Sequence, residues 1–350
     1  MTPFIKEMLK QKPIFTETLG HRKFKFCLDQ VTALGRLLPQ ATIILIVGPS
    51  NAGKSLLLAC LADFLSREIF VDRGDGKIPV IGATAQISRE TRTAPKYLYS
   101  KLLADIGSPL FDPSKIEQIR YSPSINHNET YLLTTLQNGI AVCGTRVVLV
   151  DEGNFLVRTK NEEFRSSLIE SLKSLVMVDT TLCLCGGYEM AEAIFSRAHL
   201  AARKVVCHLE GYSDSVEDRL EWRSILASIT ESPKIRLAEK TLLQEHSDKL
   251  LWESHGVIGI LERRLLRAVS LSVAEGSPIT RDILEATAPS LREWKTIGND
   301  IENGKKLLAA VGELAPAQTP SVSKSPSPKG RPGSRKRFDR RPRRAIPTIA

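Results

Sequence analysis

Gly48-Pro49-Ser50-Asn51-Ala52-Gly53-Lys54-Ser55 places two glycines, a lysine and a serine at the GxxxxGK[ST] spacing. Glycines at these positions let the backbone turn tightly, so that successive amide N–H groups converge on phosphate oxygens. Lys54 then supplies a cation at the β and γ phosphates and Ser55 a hydroxyl for Mg²⁺. The loop follows an apolar run, Ile43 to Val47, and opens a helical pattern at Lys54. That strand–loop–helix order is what a phosphate cradle requires, and it argues against an accidental Gly-rich turn. Gly48, Pro49, Ser50, Asn51, Ala52, Gly53, Lys54, Ser55 and Leu56 are therefore candidate ligands of a nucleoside triphosphate.

A second constellation lies downstream. Val147-Val148-Leu149-Val150-Asp151-Glu152 is an apolar run that ends in two carboxylates. In a nucleotide site of this kind the first acid, Asp151, joins Ser55 around Mg²⁺, and the second, Glu152, orients and polarises the attacking water. A strand that merely ends in a polar turn is the alternative reading.

These residues need a sheet to hold them. Short apolar, β-branched runs occur at Thr42–Val47, Ile78–Thr84, Val147–Val150, Thr181–Cys185 and Lys204–Leu209. They are too continuous for half-exposed strands and suit a buried parallel sheet. Helical patterns at Lys54–Arg67, Ala94–Ile106 and Phe164–Leu175 alternate with them, which predicts a three-layer α/β domain. Beyond Gly211 the strand signals stop. Three- and four-residue apolar spacing near Asp214–Ile229, Leu237–Ser254, Gly256–Glu275 and Thr280–Trp294 predicts a small helical lid. The expected organisation is an N-terminal extension (1–40), an α/β nucleotide-binding domain (41–211), a helical lid (212–312) and a basic tail (313–350).

Composition narrows the class. With 42% hydrophobic and 25% charged residues in 350, the chain matches an average globular protein, and no apolar run is long enough to span a membrane. Met1 to Lys12 lacks the features of a secretory signal, so a cytoplasmic location is expected. The six cysteines show no CxxC pair and read as reduced core residues. Nine of the ten net positive charges fall after Ala315, where ten Lys or Arg face one acid, Asp339, among Pro, Ser and Gly. Such a segment cannot offset its own ordering entropy, so disorder is expected there. It reads as a tether for a polyanion such as double-stranded DNA, with a solubilising tail as the alternative.

Taken together, several segments resemble the TniB/TnsC family of AAA+ regulators of DNA transposition, over roughly residues 10 to 295. These are the GPSNAGKS loop, VVLVDEGNFL, the Thr181–Cys185 run, Phe195-Ser196-Arg197-Ala198-His199-Leu200-Ala201-Ala202-Arg203, and His255-Gly256-Val257-Ile258-Gly259-Ile260-Leu261-Glu262-Arg263-Arg264-Leu265-Leu266. The resemblance implies an ATPase, slow or partner-stimulated, that uses ATP and Mg²⁺. It further implies a homo-oligomer, ring or filament, on target DNA. This assembly would link a target-selection protein of the TniQ/TnsD kind to the transposase and be dismantled by hydrolysis. A nucleotide-dependent scaffold, or a signalling or replication-loading switch without a transposition role, is the other reading.

By the same resemblance Arg203 falls where an arginine finger is expected, with Arg197 as the alternative; a solvated surface arginine remains open for either. The segment Ser88 to Lys96 would lie near the channel of an oligomer, with Arg92 and Lys96 on DNA phosphates; an ordinary solvated helix start is the alternative. Nearby, Tyr97 and Tyr99 could stack on bases, but their helical spacing favours core packing. Two expected polar positions are weak. Cys185-Gly186-Gly187 stands where a sensor side chain is usual, and Gly259 stands at the second sensor, with Arg263 one turn later.

Overall fold

A computed structural model describes residues 1–10, 21–37, 42–71, 74–85, 94–108, 128–157, 180–196 and 204–312. In chain order the elements are α1 (Pro3–Met8), α2 (Arg22–Leu37), β1 (Ile43–Val47), α3 (Lys54–Phe64), β2 (Val80–Thr84), α4 (Ala94–Asp105), α5 (Glu129–Cys143), β3 (Val147–Asp151), α6 (Asn154–Val157), β4 (Thr181–Gly186), α7 (Tyr188–Phe195) and β5 (Lys204–His208). They continue with α8 (Val216–Thr230), α9 (Leu242–Glu245), α10 (Ser247–Glu253), α11 (Ile258–Glu275), α12 (Arg281–Ala286) and α13 (Leu291–Ala310).

The five strands form one parallel sheet in the order β2-β3-β4-β1-β5. Every residue of β1 is buried, because helices cover both faces. Ile43, Leu45 and Val47 point into a core shared with α4, α5 and α7, while Ile44 and Ile46 point into a second core with α1, α2 and α3. Tyr99 is fully buried in the first core and Tyr97 packs beside it, in keeping with their helical spacing. Register brings the ends of three strands together, with Val47 opposite Gly186 and Asp151 following Val150, which pairs with Leu184. The chain order reverses around β1, and a parallel sheet leaves a crevice at such a switch point, outside the strands' carboxyl ends.

The edge strand β2 is covered. Asp105, at the end of α4, accepts from the backbone N–H of Phe4 at 2.8 Å and of Gly82 in β2 at 2.9 Å. An edge N–H that would otherwise template pairing with another chain is thereby used internally. Burial pushes the Asp105 carboxyl above its ordinary range even against these donors.

Beyond His208 the described residues hold six helices and no strand of the sheet; their shared core surrounds the fully buried Trp222. Two expected helices are each broken in two. The pattern over Leu237–Ser254 opens with a bridge from Leu237 to Ile279 and resolves into α9 and α10, parted at His246. The pattern over Thr280–Trp294 is interrupted by Pro289, which disfavours the helical conformation of the residue before it. Ser290 and Glu293 then form a capping box that starts α13, which runs on to Ala310. Inside this unit Arg264 pairs with Glu253 and donates to the carbonyl of Leu284 at 2.9 Å, so three helices share one buried cation.

The N-terminal extension is tied to the helical part by charge. Asp218 of α8, only 4% exposed, receives Arg22 and Lys23 of α2 and the hydroxyl and backbone N–H of Ser213. Burial alone would raise its pKa; the donors outweigh burial and hold the carboxyl below the ordinary aspartate value of 3.8. Just below that value the unfolded chain binds more protons than the native one. The stabilisation is therefore present above the unfolded pKa and is lost as pH falls through the folded one. Asp218→Asn should lower stability by about 1–3 kcal/mol at neutral pH. In urea titrations along a pH series the gap between variant and wild type should close in acid; a gap that stays constant would contradict this assignment.

All six cysteines are free, and four of them (Cys27, Cys183, Cys185, Cys207) are buried, as expected of reduced core residues. No helix among the described residues is long and apolar enough to cross a membrane. The described residues form one compact unit. The expected helix Phe164–Leu175, the residues Arg92, Arg197 and Arg203, and the tail 313–350 lie outside the described residues.

Candidate functional site

At the crevice above β1, β3 and β4 lies a cleft of about 560 Å³. Its floor is the loop after β1. Asn51 (φ 64°) and Gly53 (φ 92°) both adopt the left-handed conformation, which turns the chain sharply into α3. Gly53 caps α3 without a side-chain acceptor, so the first N–H groups of the helix remain available to an anion. Lys54 folds back over the loop, where its Nζ donates to the carbonyls of Gly48 at 3.1 Å and Pro49 at 2.7 Å. Burial lowers its pKa, while the carboxylates of Glu152, Asp151 and Asp300 pull it back up.

The wall opposite is the end of β3. Asp151 is buried and its Oδ1 accepts the backbone N–H of Glu152 at 2.9 Å. Glu152 is a non-glycine residue at φ 54°, a conformation that costs of order 1–3 kcal/mol and persists only where the surroundings impose it. The next residue imposes it, because the Gly153 N–H donates to the carbonyl of Cys185 in β4 at 2.7 Å. The strained turn sets Glu152 in the cleft beside Asp151.

Gly48, Ser50, Asn51, Ala52, Gly53, Lys54, Ser55, Leu56, Asp151 and Glu152 all line this one cleft, and Pro49 contributes its carbonyl to Lys54. Lys96 is elsewhere, half-buried in the first turn of α4, where its charge acts on Glu129. Gly259 and Arg263 of α11 reach the cleft. A Cβ on Gly259 would come within 2.1 Å of the Asn51 carbonyl oxygen, so only glycine lets α11 approach the phosphate loop so closely. At the weak sensor position a Cβ on Gly186 would meet Asn154 Oδ1 at 3.2 Å. The absence of a side chain there admits Asn154 of α6, a polar group, into the cleft lining. His21, Phe24, Asn154, Tyr188, Glu189, Ile258, Glu262 and Asp300 also line it; Asn154, Ile258 and Glu262 fall in segments quoted above without a role assigned to them, and the other five lie outside those segments.

Residues 38–194 match the family model of the AAA domain. The sheet and its flanking helices have the AAA+ P-loop fold. Among solved structures, the ORC2 protein of Aeropyrum pernix, determined in ADPNP-ADP complexes, aligns with a TM-score of 0.52 at 15% identity, over 79% of this chain and 70% of that one. The ORC1 protein of the same organism, in complex with DNA, aligns with a TM-score of 0.53 at 14% identity, over 76% and 63%. No curated protein matches the chain in sequence. Lys54 and Asp151, 97 positions apart along the chain, line one cleft at the carboxyl ends of the strands.

Proposed function

We propose that this chain is an ATP-binding and ATP-hydrolysing AAA+ regulator of DNA transposition, of the TniB/TnsC type, which assembles on double-stranded DNA. The observation that carries the nucleotide part is the single cleft that unites Lys54, Ser55, Asp151 and Glu152. Lys54 turns from the loop carbonyls to the β and γ phosphates, and the N–H groups at the start of α3 hold the remaining phosphate oxygens. Ser55 and Asp151 offer a hydroxyl and a buried carboxylate, an all-oxygen donor pair suited to Mg²⁺. When bound there, Mg²⁺ neutralises phosphate charge. Glu152 orients the attacking water and accepts its proton, and Asn154 supplies the polar contact missing at Gly186. Arg203, or Arg197, completes the site of a neighbouring copy in the oligomer.

The transposition role rests on the resemblance of the segments quoted above. DNA binding is supported by the charge of residues 316–350, and ORC1, of similar fold, is in complex with DNA. In this reading Arg92 and Lys96 contact phosphates in the assembled channel, the tail adds nonspecific attraction, and the oligomer bridges a TniQ/TnsD-like target-selection protein and the transposase. The glycines at the sensor position favour a second reading, a nucleotide-dependent scaffold that does not hydrolyse.

Duplex binding across a salt series, with and without ATP, separates these contributions. Deleting residues 316–350 should weaken binding and flatten its salt dependence, because fewer counterions are released, yet leave ATP dependence intact. Replacing Arg92 and Lys96 together by alanine should remove the ATP-dependent component. Binding to DNA that never depends on ATP, in any of the three proteins, would refute the assembly role.

A further inference from the structure

His21 precedes α2, and its Nδ1 accepts the backbone N–H of Phe24 at 3.3 Å, which caps the first turn of that helix. The Tyr212 hydroxyl reaches the same nitrogen at 3.2 Å. A nitrogen that accepts an N–H carries no proton of its own, so the cap assigns the imidazole proton to Nε2. Among the described residues Nε2 has no hydrogen-bond partner, while the ring itself lines the cleft.

The polar groups that suit a triphosphate, Lys54, Asp151 and Glu152, are gathered together in this cleft. Its aromatic and aliphatic lining comes from His21, Phe24, Leu56, Tyr188 and Ile258, and of these His21 and Phe24 stand together at the start of α2. Phe24 is adjacent to the phosphate loop, its ring 3.8 Å from where a Cβ of Gly53 would stand. The flat, apolar part of a nucleotide is its base, and the base carries in-plane acceptors that would meet a fixed N–H.

We propose that His21 is a specificity-determining residue of the nucleotide site, donating from Nε2–H to an unprotonated ring nitrogen of the purine. This rests on the nucleotide reading above. Burial draws the His21 pKa down to about 4, so the ring stays neutral, with its single donor in place, at physiological pH. A fixed donor selects a base with an acceptor at that point: at N1 it excludes guanine, which carries a proton there, while at N3 or N7 it accepts either purine and excludes pyrimidines. The helix cap and the base reader are then one side chain, with the first use setting the tautomer that the second needs.

The test is a calorimetric titration of the full chain with MgATP, with Mg-tripolyphosphate, and with ATP analogues in which N1, N3 or N7 is replaced by CH. His21→Ser keeps a good helix cap but has no ring donor. It should bind MgATP ~5- to 20-fold more weakly than wild type, the worth of one directed hydrogen bond, and bind tripolyphosphate equally well. In the wild type one of the three analogues should show the same loss, and His21→Ser should bind that analogue no worse than ATP. If all three analogues bind wild type as tightly as ATP, the His21 assignment fails while the nucleotide reading stands. If neither ATP nor tripolyphosphate binds wild type, the nucleotide reading fails and His21 falls with it.

Discussion

Lys54→Ala should lower the affinity for ATP by at least ~100-fold, since it removes the one lysine that, among the described residues, lines a cleft also lined by Asp151, Glu152, Glu189, Glu262 and Asp300. With that charge gone, an incoming triphosphate meets carboxylates with only Arg263, among the described residues, to offset them. Folding should be nearly unaffected for a separate reason. The substitution forfeits two hydrogen bonds to Gly48 and Pro49, and it also relieves the burial of an ammonium whose pKa is already drawn down. These effects oppose each other, so the change in unfolding free energy should stay below about 1 kcal/mol. Titration with a fluorescent ATP analogue and a thermal melt check the two halves. An affinity within threefold of wild type would remove the loop from the nucleotide site.

Glu152→Gln should separate binding from turnover. Glutamine keeps the size of the side chain. The contacts that impose the left-handed turn are made by backbone groups, from Glu152 N–H to Asp151 and from Gly153 N–H to Cys185, and the substitution leaves them intact. The lost group is a base for the attacking water, and general-base contributions run to about 10²–10⁴ in rate. ATP affinity should therefore change by less than threefold while steady-state phosphate release falls at least ~100-fold. The bound nucleotide should also prolong whatever DNA assembly depends on ATP. Wild-type phosphate release from this variant would exclude Glu152 from the chemistry.

The strands that carry the site were legible in the sequence because each is a contiguous run whose burial follows from its own residues: IILIV and VVLVD are buried at every position, as their continuity predicts. The phosphate loop was legible because its chemistry is local, eight consecutive residues whose backbone is the ligand. Helix ends were less so. The break at His246 has no breaker residue, and the stop at Pro289 was overridden by the apolar spacing on either side of it.

The rest of the cleft depends on distances that a sequence does not contain. His21, Asn154, Tyr188, Ile258 and Asp300 come from five elements or their flanks and meet only after the sheet and the helical unit have packed. Several glycines are explained in the same way. Gly259 is required by the Asn51 carbonyl, and Gly304 by the Tyr188 ring, which a Cβ would approach within 2.2 Å where α13 returns to the sheet. Local propensity would favour alanine at either position, since both lie inside helices. By itself the sequence determined the alternation of strands and helices, the phosphate-binding loop and the paired carboxylates, because hydrophobic periodicity and backbone turn chemistry act over a few residues. Tertiary structure alone decided which side chains close the cleft and which distant group, Tyr212, meets His21. Those outcomes follow from close packing and from hydrogen-bond partners up to 191 positions away along the chain, as Tyr212 is from His21.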